Sequence, residues 1–200
     1  IYIYIMSSKE LYNLITFNVF CNCTVNSPSI FPLDIFFESF IDSFELSPEL
    51  MKINVFIDSH PIEKNYEEYS KNIKQYLISK KANPKIHKTV SLVDGWNKSL
   101  QICETKFQFN LEHDFALYKR NITHNLIDIL KAIEDDNDIV LCRFSHQNLR
   151  INKYEKYLDP IILNTIKFLK TPNVGNYAQI IKTNTYIDKF LPLLDLNAVK

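Results

Sequence analysis

Glycine is nearly missing from this sequence of 200 residues, in which only Gly95 and Gly175 occur. A phosphate-binding P-loop, a G-x-G-x-x-G dinucleotide fingerprint and a G-x-S-x-G nucleophile elbow each need at least two closely spaced glycines. None of these motifs can exist here. The sequence therefore excludes the enzyme classes that depend on them.

An excess of charge is also lacking, because 23 basic and 23 acidic residues cancel at neutral pH. Nucleic-acid-binding domains normally show a basic excess, so we expect no nucleic-acid partner. No apolar run is long enough to span a bilayer, and the start of the chain lacks the basic residues of a secretory signal. We expect a cytoplasmic protein without a transmembrane segment, in the host cytoplasm if a virus encodes it. Because the sequence does not begin with Met, we expect a fragment of a longer chain or a start at Met6.

Cysteine is scarce, and the spacing of Cys21, Cys23, Cys103 and Cys142 matches no zinc pattern. Cys142 ends an apolar run over 139–142, where a buried and unreactive thiol is the usual state. We expect all four thiols to be reduced.

What the sequence does contain is a regular alternation of strand and helix patterns. Strand patterns cover 12–20, 52–57, 85–90, 107–111 and 138–144, and helix patterns cover 33–44, 65–81, 92–103 and 121–135. Strands separated by helices predict a three-layer α/β/α fold with a mainly parallel, Rossmann-like sheet. Beyond residue 145 we expect a helix within 154–169, a strand at 177–182 and a closing helix at 186–194. Residues 1–200 show no linker or repeat, so we expect one domain.

The strand pattern over 107–111 leads directly into an acidic cluster, Glu112-His113-Asp114. If the chain stays extended, Glu112 and Asp114 point to one side and His113 to the other. Ligands of open α/β sheets bind at the carboxyl ends of the strands, and carboxylates there suit Mg²⁺ or Mn²⁺. The alternative is a polar turn that simply leaves the strand.

The order of elements, with this cluster on the fourth strand, resembles the nucleotide-sugar-dependent glycosyltransferases of GT-A fold, and among them family 2-like enzymes. Glu112-His113-Asp114 stands where that family has its D-x-D motif and resembles the EHD variant of some giant-virus and bacterial glycosyltransferases. The resemblance implies a UDP- or GDP-sugar donor and a Mn²⁺ or Mg²⁺ cofactor. Asp114 would then ligate the metal, and Glu112 would assist it or hydrogen-bond the donor.

Further site residues are implied by the same resemblance. Asp58 follows the second strand, where the family has an acid that contacts the nucleobase. Asn22 and Thr24 follow the first strand, in the loop that meets the nucleotide. Asp94 lies in a segment near the ribose or the diphosphate. Trp96, in the same segment, is most simply a core residue.

An inverting enzyme would also need a carboxylate that accepts the proton of the acceptor hydroxyl. The candidates are Asp159, Asp188 and Asp195, although each is more simply explained as a helix-boundary or solvated acid. The acceptor (glycan, protein or lipid) stays open. Two alternative functions also stay open: a sugar nucleotidyltransferase, which the shortage of glycine disfavours, and a non-catalytic α/β module that binds nucleotides or carbohydrates.

Overall fold

The structure is a computed structural model that describes residues 8–23, 28–59, 63–117, 123–144, 160–169 and 178–193. The strands are β1 (Ile15–Asn22), β2 (Lys52–Asp58), β3 (Asn83–Thr89), β4 (Phe107–Glu112), β5 (Leu141–Arg143), β6 (Pro160–Leu163), β7 (Ile166–Leu169) and β8 (Gln179–Lys182). The helices are α1 (Ser8–Leu14), α2 (Phe31–Phe44), α3 (Tyr66–Ser79), α4 (Leu92–Ile102), α5 (Leu126–Asp135) and α6 (Thr183–Thr185). A π-helical turn (Tyr186–Phe190) and a 3₁₀ turn (Leu191–Leu193) continue α6. Among these residues, no helix has both the length and the apolar character needed to cross a bilayer.

Six strands form one sheet in the order β3-β2-β1-β4-β8-β5. β1, β2, β3 and β4 run parallel to one another, because a helix crosses over between each consecutive pair. β8 is inserted antiparallel between β4 and β5. The carboxyl ends of β1, β2 and β4 therefore meet at one edge of the sheet. The predicted three-layer α/β/α fold with a mainly parallel sheet is confirmed.

One face of the sheet is apolar and carries most of the core. Strand residues two apart share a face, so Phe17 and Val19 of β1 lie beside Phe107, Phe109 and Leu111 of β4. All five are buried and pack against α2, α3 and α5. Phenylalanine rings fill this layer; Phe40 of α2 contacts the rings of Phe17 and Phe109 edge-on.

The opposite face of the sheet is buried but polar at its centre. Asn18 lies there with no solvent exposure and donates hydrogen bonds to Gln108 Oε1 (2.7 Å) and Asn110 Oδ1 (2.9 Å). Its own Oδ1 accepts from Asn54 Nδ2 (3.3 Å), and His87 Nε2 lies 3.3 Å from Asn54 Oδ1. These side chains form a hydrogen-bonded amide row across β3, β2, β1 and β4. Helix α4 covers this face.

Several predicted boundaries are wrong. Residues 12–14 belong to α1 and not to the first strand, because Tyr12 packs into the core from a helix and its hydroxyl accepts a bond from Ser47 N (2.8 Å). Helix α5 begins at Leu126 and not at 121, because the Asn125 side chain accepts from Asp128 N (2.9 Å) and caps the helix there. The fifth strand is shorter than predicted, at Leu141–Arg143.

The helix predicted within 154–169 is also wrong in its described part. Residues 160–169 form an antiparallel hairpin of β6 and β7. Asn164 and Thr165 link the strands with positive φ angles of 47° and 73°, as in the two-residue turns typical of hairpins. Residues 154–159 lie outside the described part of the chain.

Candidate functional site

The carboxyl ends of the central strands bring three predicted site residues to one edge. Asn22 of β1 pairs with Asp58 of β2, and Glu112 of β4 pairs with Phe20 of β1. Because paired residues of neighbouring strands share a face, Asn22, Asp58 and Glu112 all lie on the α4 side of the sheet. Asn22 is exposed, whereas Asp58 and Glu112 are half-buried. The structure thus places these three predicted site residues at the carboxyl edge of the sheet, and their roles in binding stay predictions.

Glu112 is held in an unusual electrostatic state. Burial, and then the negative charge of Asp114, raise the pKa of the Glu112 carboxyl from 4.5 to about 7. Both causes disfavour a second negative charge at this position. Asp114 is exposed, and it forms no ion pair with the residues that the structure describes. The two acids therefore lie close together and lack a neutralising cation from the described part of the protein.

The backbone between Glu112 and Asp114 differs from the prediction. β4 ends at Glu112, and His113 and Asp114 form a turn, so the extended-chain argument for their directions was wrong. The turn is held by His113, whose backbone N–H donates to Phe20 O (3.1 Å) and whose ring Nδ1 lies 3.3 Å from the same oxygen. Burial lowers the pKa of His113. This histidine therefore anchors the acidic turn to β1.

The apolar side of the same edge contains two buried thiols. Burial is the main cause that raises the pKa of Cys21, and the negative charge of Asp114 adds to it. Burial likewise raises the pKa of Cys23, with a smaller contribution from the charge of Asp58. A thiol with a raised pKa stays protonated and is a poor nucleophile at neutral pH. Burial raises the pKa of Cys142 to about 12. All four cysteines are free thiols, as predicted.

A row of stacked rings runs along the α4 face toward Glu112. His87 stacks on Phe56 (4.9 Å between centroids), Phe56 on Phe20 (5.3 Å), and Phe20 on Trp96 (5.4 Å). We call these four side chains the aromatic row. The interpretation of Trp96 as a core residue was wrong in part, because this residue is only partly buried at the end of the row.

Gly95 explains how α4 comes so close to the aromatic row. A Cβ atom at this position would lie 3.3 Å from Phe20 Cδ1 and 3.4 Å from Phe56 Cβ. Such contacts are tight. Helix α4 can therefore lie this close to the sheet only because position 95 has no side chain.

Asp94 has a structural task at the start of α4. Its carboxylate accepts from Val90 N (3.0 Å) and pairs with Lys98 (3.0 Å), and its own N–H donates to Ser91 Oγ (3.1 Å). Although partial burial alone would raise the pKa of Asp94, these partners outweigh it and lower that pKa. The reciprocal bonds form a capping arrangement that fixes the helix start. A contact from Asp94 to a ribose or diphosphate stays a prediction.

Of the remaining predicted site residues, only Asp188 is in the described part of the chain, and it lies away from this edge. Asp188 is exposed, and its neighbour Lys189 donates to Asn137 O (3.5 Å), just before β5. Because β8 is antiparallel and Lys182 pairs with Phe107 at the start of β4, the helical segment after it begins at the opposite edge of the sheet. Asp188 is thus poorly placed to act as a base beside Glu112. Thr24, Asp159 and Asp195 lie outside the described residues.

A metal ion would have to be held by few protein ligands here. Within the described ranges, no group of three or more His, Cys, Asp or Glu side chains is arranged to bind one. Glu112 and Asp114 form a pair, and hard carboxylate oxygens are the ligand type that Mg²⁺ and Mn²⁺ take, with water and phosphate oxygens completing the shell. The pair therefore fits a cation that also binds a ligand.

Comparison with known proteins identifies the fold. No protein-family model matches this chain, and no curated protein sequence matches it. Among solved structures, Staphylococcus aureus TarS 1-349 in complex with UDP is similar, with a TM-score of 0.52 and 14% identity over 86% of this chain and 48% of that one. The complex of the same protein with UDP-GlcNAc is similar with a TM-score of 0.50, 15% identity and coverages of 86% and 47%. This chain spans about half the length of the TarS chains that it matches.

These findings define the class of fold. The strand order, the antiparallel β8 and the similarity to TarS together show a GT-A-like fold.

Proposed function

We propose that this chain is the nucleotide-sugar-binding domain of a glycosyltransferase that moves a sugar from a UDP- or GDP-sugar to an acceptor hydroxyl. The observation that supports the proposal best is the pair Glu112 and Asp114 beside Asn22 and Asp58, at the carboxyl edge of a GT-A-like sheet. Open α/β sheets bind ligands at this edge. The similarity to a protein whose structures contain UDP and UDP-GlcNAc agrees with a nucleotide-sugar ligand.

Different residues of the protein bind different parts of the nucleotide-sugar donor. Asp58 and Asn22 accept and donate hydrogen bonds to the nucleobase and ribose, because they lie together at the ends of β2 and β1. Asp114 would hold the divalent cation, and Glu112 would assist it or hydrogen-bond a donor hydroxyl. When bound, Mn²⁺ or Mg²⁺ supplies positive charge that stabilises the leaving diphosphate.

The electrostatics of the acidic pair favour this arrangement. A carboxyl whose pKa is raised by a neighbouring negative charge gains stability when a cation arrives, because the repulsion becomes attraction. We therefore expect cation binding to release a proton from Glu112 near neutral pH.

The direct test is calorimetric and thermal-shift titration of the protein with UDP and GDP, each with and without Mn²⁺. We expect one nucleotide to raise the melting temperature only when Mn²⁺ is present, since a ligand that binds the native state alone stabilises it. Asp114→Asn should abolish this shift. Asp138→Asn is the matched control, because Asp138 is an exposed acid that precedes β5, at the opposite edge of the sheet.

Product analysis then separates the three functions. A sugar transferase releases the nucleoside diphosphate from a nucleotide sugar, slowly to water or faster to a suitable acceptor. A nucleotidyltransferase instead forms a nucleotide sugar and pyrophosphate from a nucleoside triphosphate. Nucleotide binding without either reaction supports the non-catalytic module, and no binding of any nucleotide contradicts the proposal.

A further inference from the structure

We propose that the indole of Trp96 is the surface on which the sugar ring of the donor stacks, beside Glu112. This inference rests on the proposed function, because it assigns one subsite of the nucleotide-sugar site.

The position of the indole follows from the stacking around Phe20. Phe56 and Trp96 are both nearly parallel to the Phe20 ring, with interplanar angles of 18° and 6°. No ring contact joins Phe56 to Trp96, so the two lie on opposite faces of Phe20. Since Phe56 belongs to β2, Trp96 lies on the side of β4. The cross-strand neighbour of Phe20 on β4 is Glu112, on the same face of the sheet.

The indole is held in place before any ligand arrives. Gly95 lets α4 lie against Phe20 and Phe56, and the bonds among Ser91, Asp94 and Lys98 fix the start of the helix. One face of the ring is covered by Phe20, and the residue is still partly exposed. Within the described part of the chain, its N–H donates no hydrogen bond. A rigid aromatic face with a free donor costs little entropy to use in binding.

The chemistry of this corner suits a pyranose ring. An aromatic face is electron-rich and attracts the C–H groups on the flat side of a sugar, while a carboxyl such as Glu112 accepts from its hydroxyls. Below Glu112 on the same face of β4, the buried Nδ2 of Asn110 has no hydrogen-bond partner among the described residues. Ligand sites are commonly built in this way, from apolar walls and a few directed polar groups.

The order of the strands assigns the sugar and not the base to Trp96. Asp58 and Asn22, which the proposed function gives to the nucleobase and ribose, lie at the ends of β2 and β1. Trp96 lies on the far side of Phe20 from Phe56, towards β4, whose acidic pair would hold the diphosphate. The group that continues past the diphosphate in that direction is the sugar.

The test uses the fact that Trp96 is the only tryptophan of the chain. Its fluorescence, excited where tyrosine does not absorb, is followed during titration with UDP and with UDP-GlcNAc in the presence of Mn²⁺, and with GDP and GDP-mannose in parallel. Calorimetry on the same samples measures binding independently of the indole. We expect the nucleotide sugar to quench or shift the emission, and the matching nucleoside diphosphate to bind with little change in it.

The other outcomes distinguish this inference from the proposed function. An equal fluorescence change with the nucleoside diphosphate alone assigns the indole to the base or ribose and overturns the sugar subsite. Calorimetric binding with no fluorescence change by any ligand removes Trp96 from the site and leaves the proposed function intact. Absence of binding by calorimetry overturns both.

Substitution supplies the second readout. We expect Trp96→Leu to weaken binding of the nucleotide sugar by roughly ten-fold, in line with the cost of losing a stacking partner, and to change binding of the diphosphate by much less. Trp96→Phe keeps a ring on Phe20 and should restore most of the affinity. Ile102→Ser, at the exposed far end of α4, is the control for general effects on the helix. Equal weakening of sugar-bearing and sugar-free ligands by Trp96→Leu would contradict the assignment.

Discussion

At the scale of single residues, Glu112 combines burial with a like-charged neighbour. The protein therefore stores electrostatic repulsion at this point, and a bound cation would relieve it. Such a group is costly for stability and useful for binding, which is the usual balance at a functional site.

The pH dependence of stability tests this balance through Glu112→Gln. Because the folded pKa is raised, the contribution of Glu112 to stability is fully present below its ordinary value of 4.5 and is lost as pH rises through about 7. We expect the substitution to raise the free energy of unfolding at pH 8 by about 1 kcal/mol, after allowance for solvent screening, and to change it little at pH 4. Denaturant titrations at a series of pH values measure the difference. An equal effect at both pH values would show that Glu112 does not titrate differently in the folded state.

The amide row makes a second prediction at this scale. In Asn18→Asp the shape of the side chain is kept, but both donors are replaced by a charge that faces the oxygens of Gln108 and Asn110. A buried charge without a partner costs about 3 kcal/mol or more, and we expect that loss in the free energy of unfolding. Asn83→Asp, at the exposed start of β3, is the control and should be nearly neutral. A loss below about 1 kcal/mol would mean that the amide bonds contribute little net stability.

Individual site residues were predicted with uneven success, for a physical reason. Asp58 and Glu112 follow strongly apolar strands, so their place at the sheet edge could be deduced from the sequence. The direction in which Asp94 points depends on its bonds to Val90 and Lys98, and the location of Asp188 depends on the antiparallel direction of β8. Neither of these is encoded in local spacing. The metal and nucleotide roles of the site stay predictions.

At the scale of elements, α4 is the part that shapes the candidate site. Its position depends on Gly95, because there is little room for a side chain between this position and the rings of Phe20 and Phe56.

Gly95→Ala sets two effects against each other. Alanine favours a helix over glycine by about 1 kcal/mol, but overpacking a filled core costs about 1–3 kcal/mol. The Phe20 ring is stacked on both faces and has little room to move, so we expect a net loss of about 1 kcal/mol in the free energy of unfolding and a red shift of Trp96 emission. Gln101→Ala, on the exposed side of the same helix, should be neutral or slightly stabilising. Stabilisation by Gly95→Ala would show that α4 moves away freely.

Elements with strong periodicity were predicted well, and those decided by turns were not. The strands β1 to β4 and helices α2 to α4 were found within a few residues of their bounds. The hairpin of β6 and β7 was missed because its apolar residues fit either period and its turn, Asn164-Thr165, lacks the glycine that typically marks a two-residue hairpin turn.

At the scale of the whole molecule, the sheet is not uniformly supported. β1 lies at the centre, paired on both sides and covered on both faces, whereas β6 and β7 pair only with each other among the described strands. The parallel order could be deduced from the alternation of strands and helices. The insertion of β8 between β4 and β5 could not, because it depends on long-range pairing.

Native-state hydrogen exchange should reveal this difference. We expect the slowest exchange in Ile15–Asn22 and faster exchange in Pro160–Leu163, since opening the hairpin exposes less buried surface than opening the central strand. Mass spectrometry of peptic fragments measures both regions in one experiment. Equal protection of the two would show that the hairpin opens only with the entire domain.

The amide row also fixes the register of β4, and with it the position of the acids at the candidate site. Asn18 can bond to Gln108 and Asn110 in one alignment of β4 only, and a slip by one pleat would move Glu112 by about 6.6 Å along the strand. Apolar side chains alone would tolerate such a slip more easily than directional bonds do. The position of the two acids along the sheet edge, next to Asn22 and Asp58, is therefore set by the buried hydrogen bonds of Asn18.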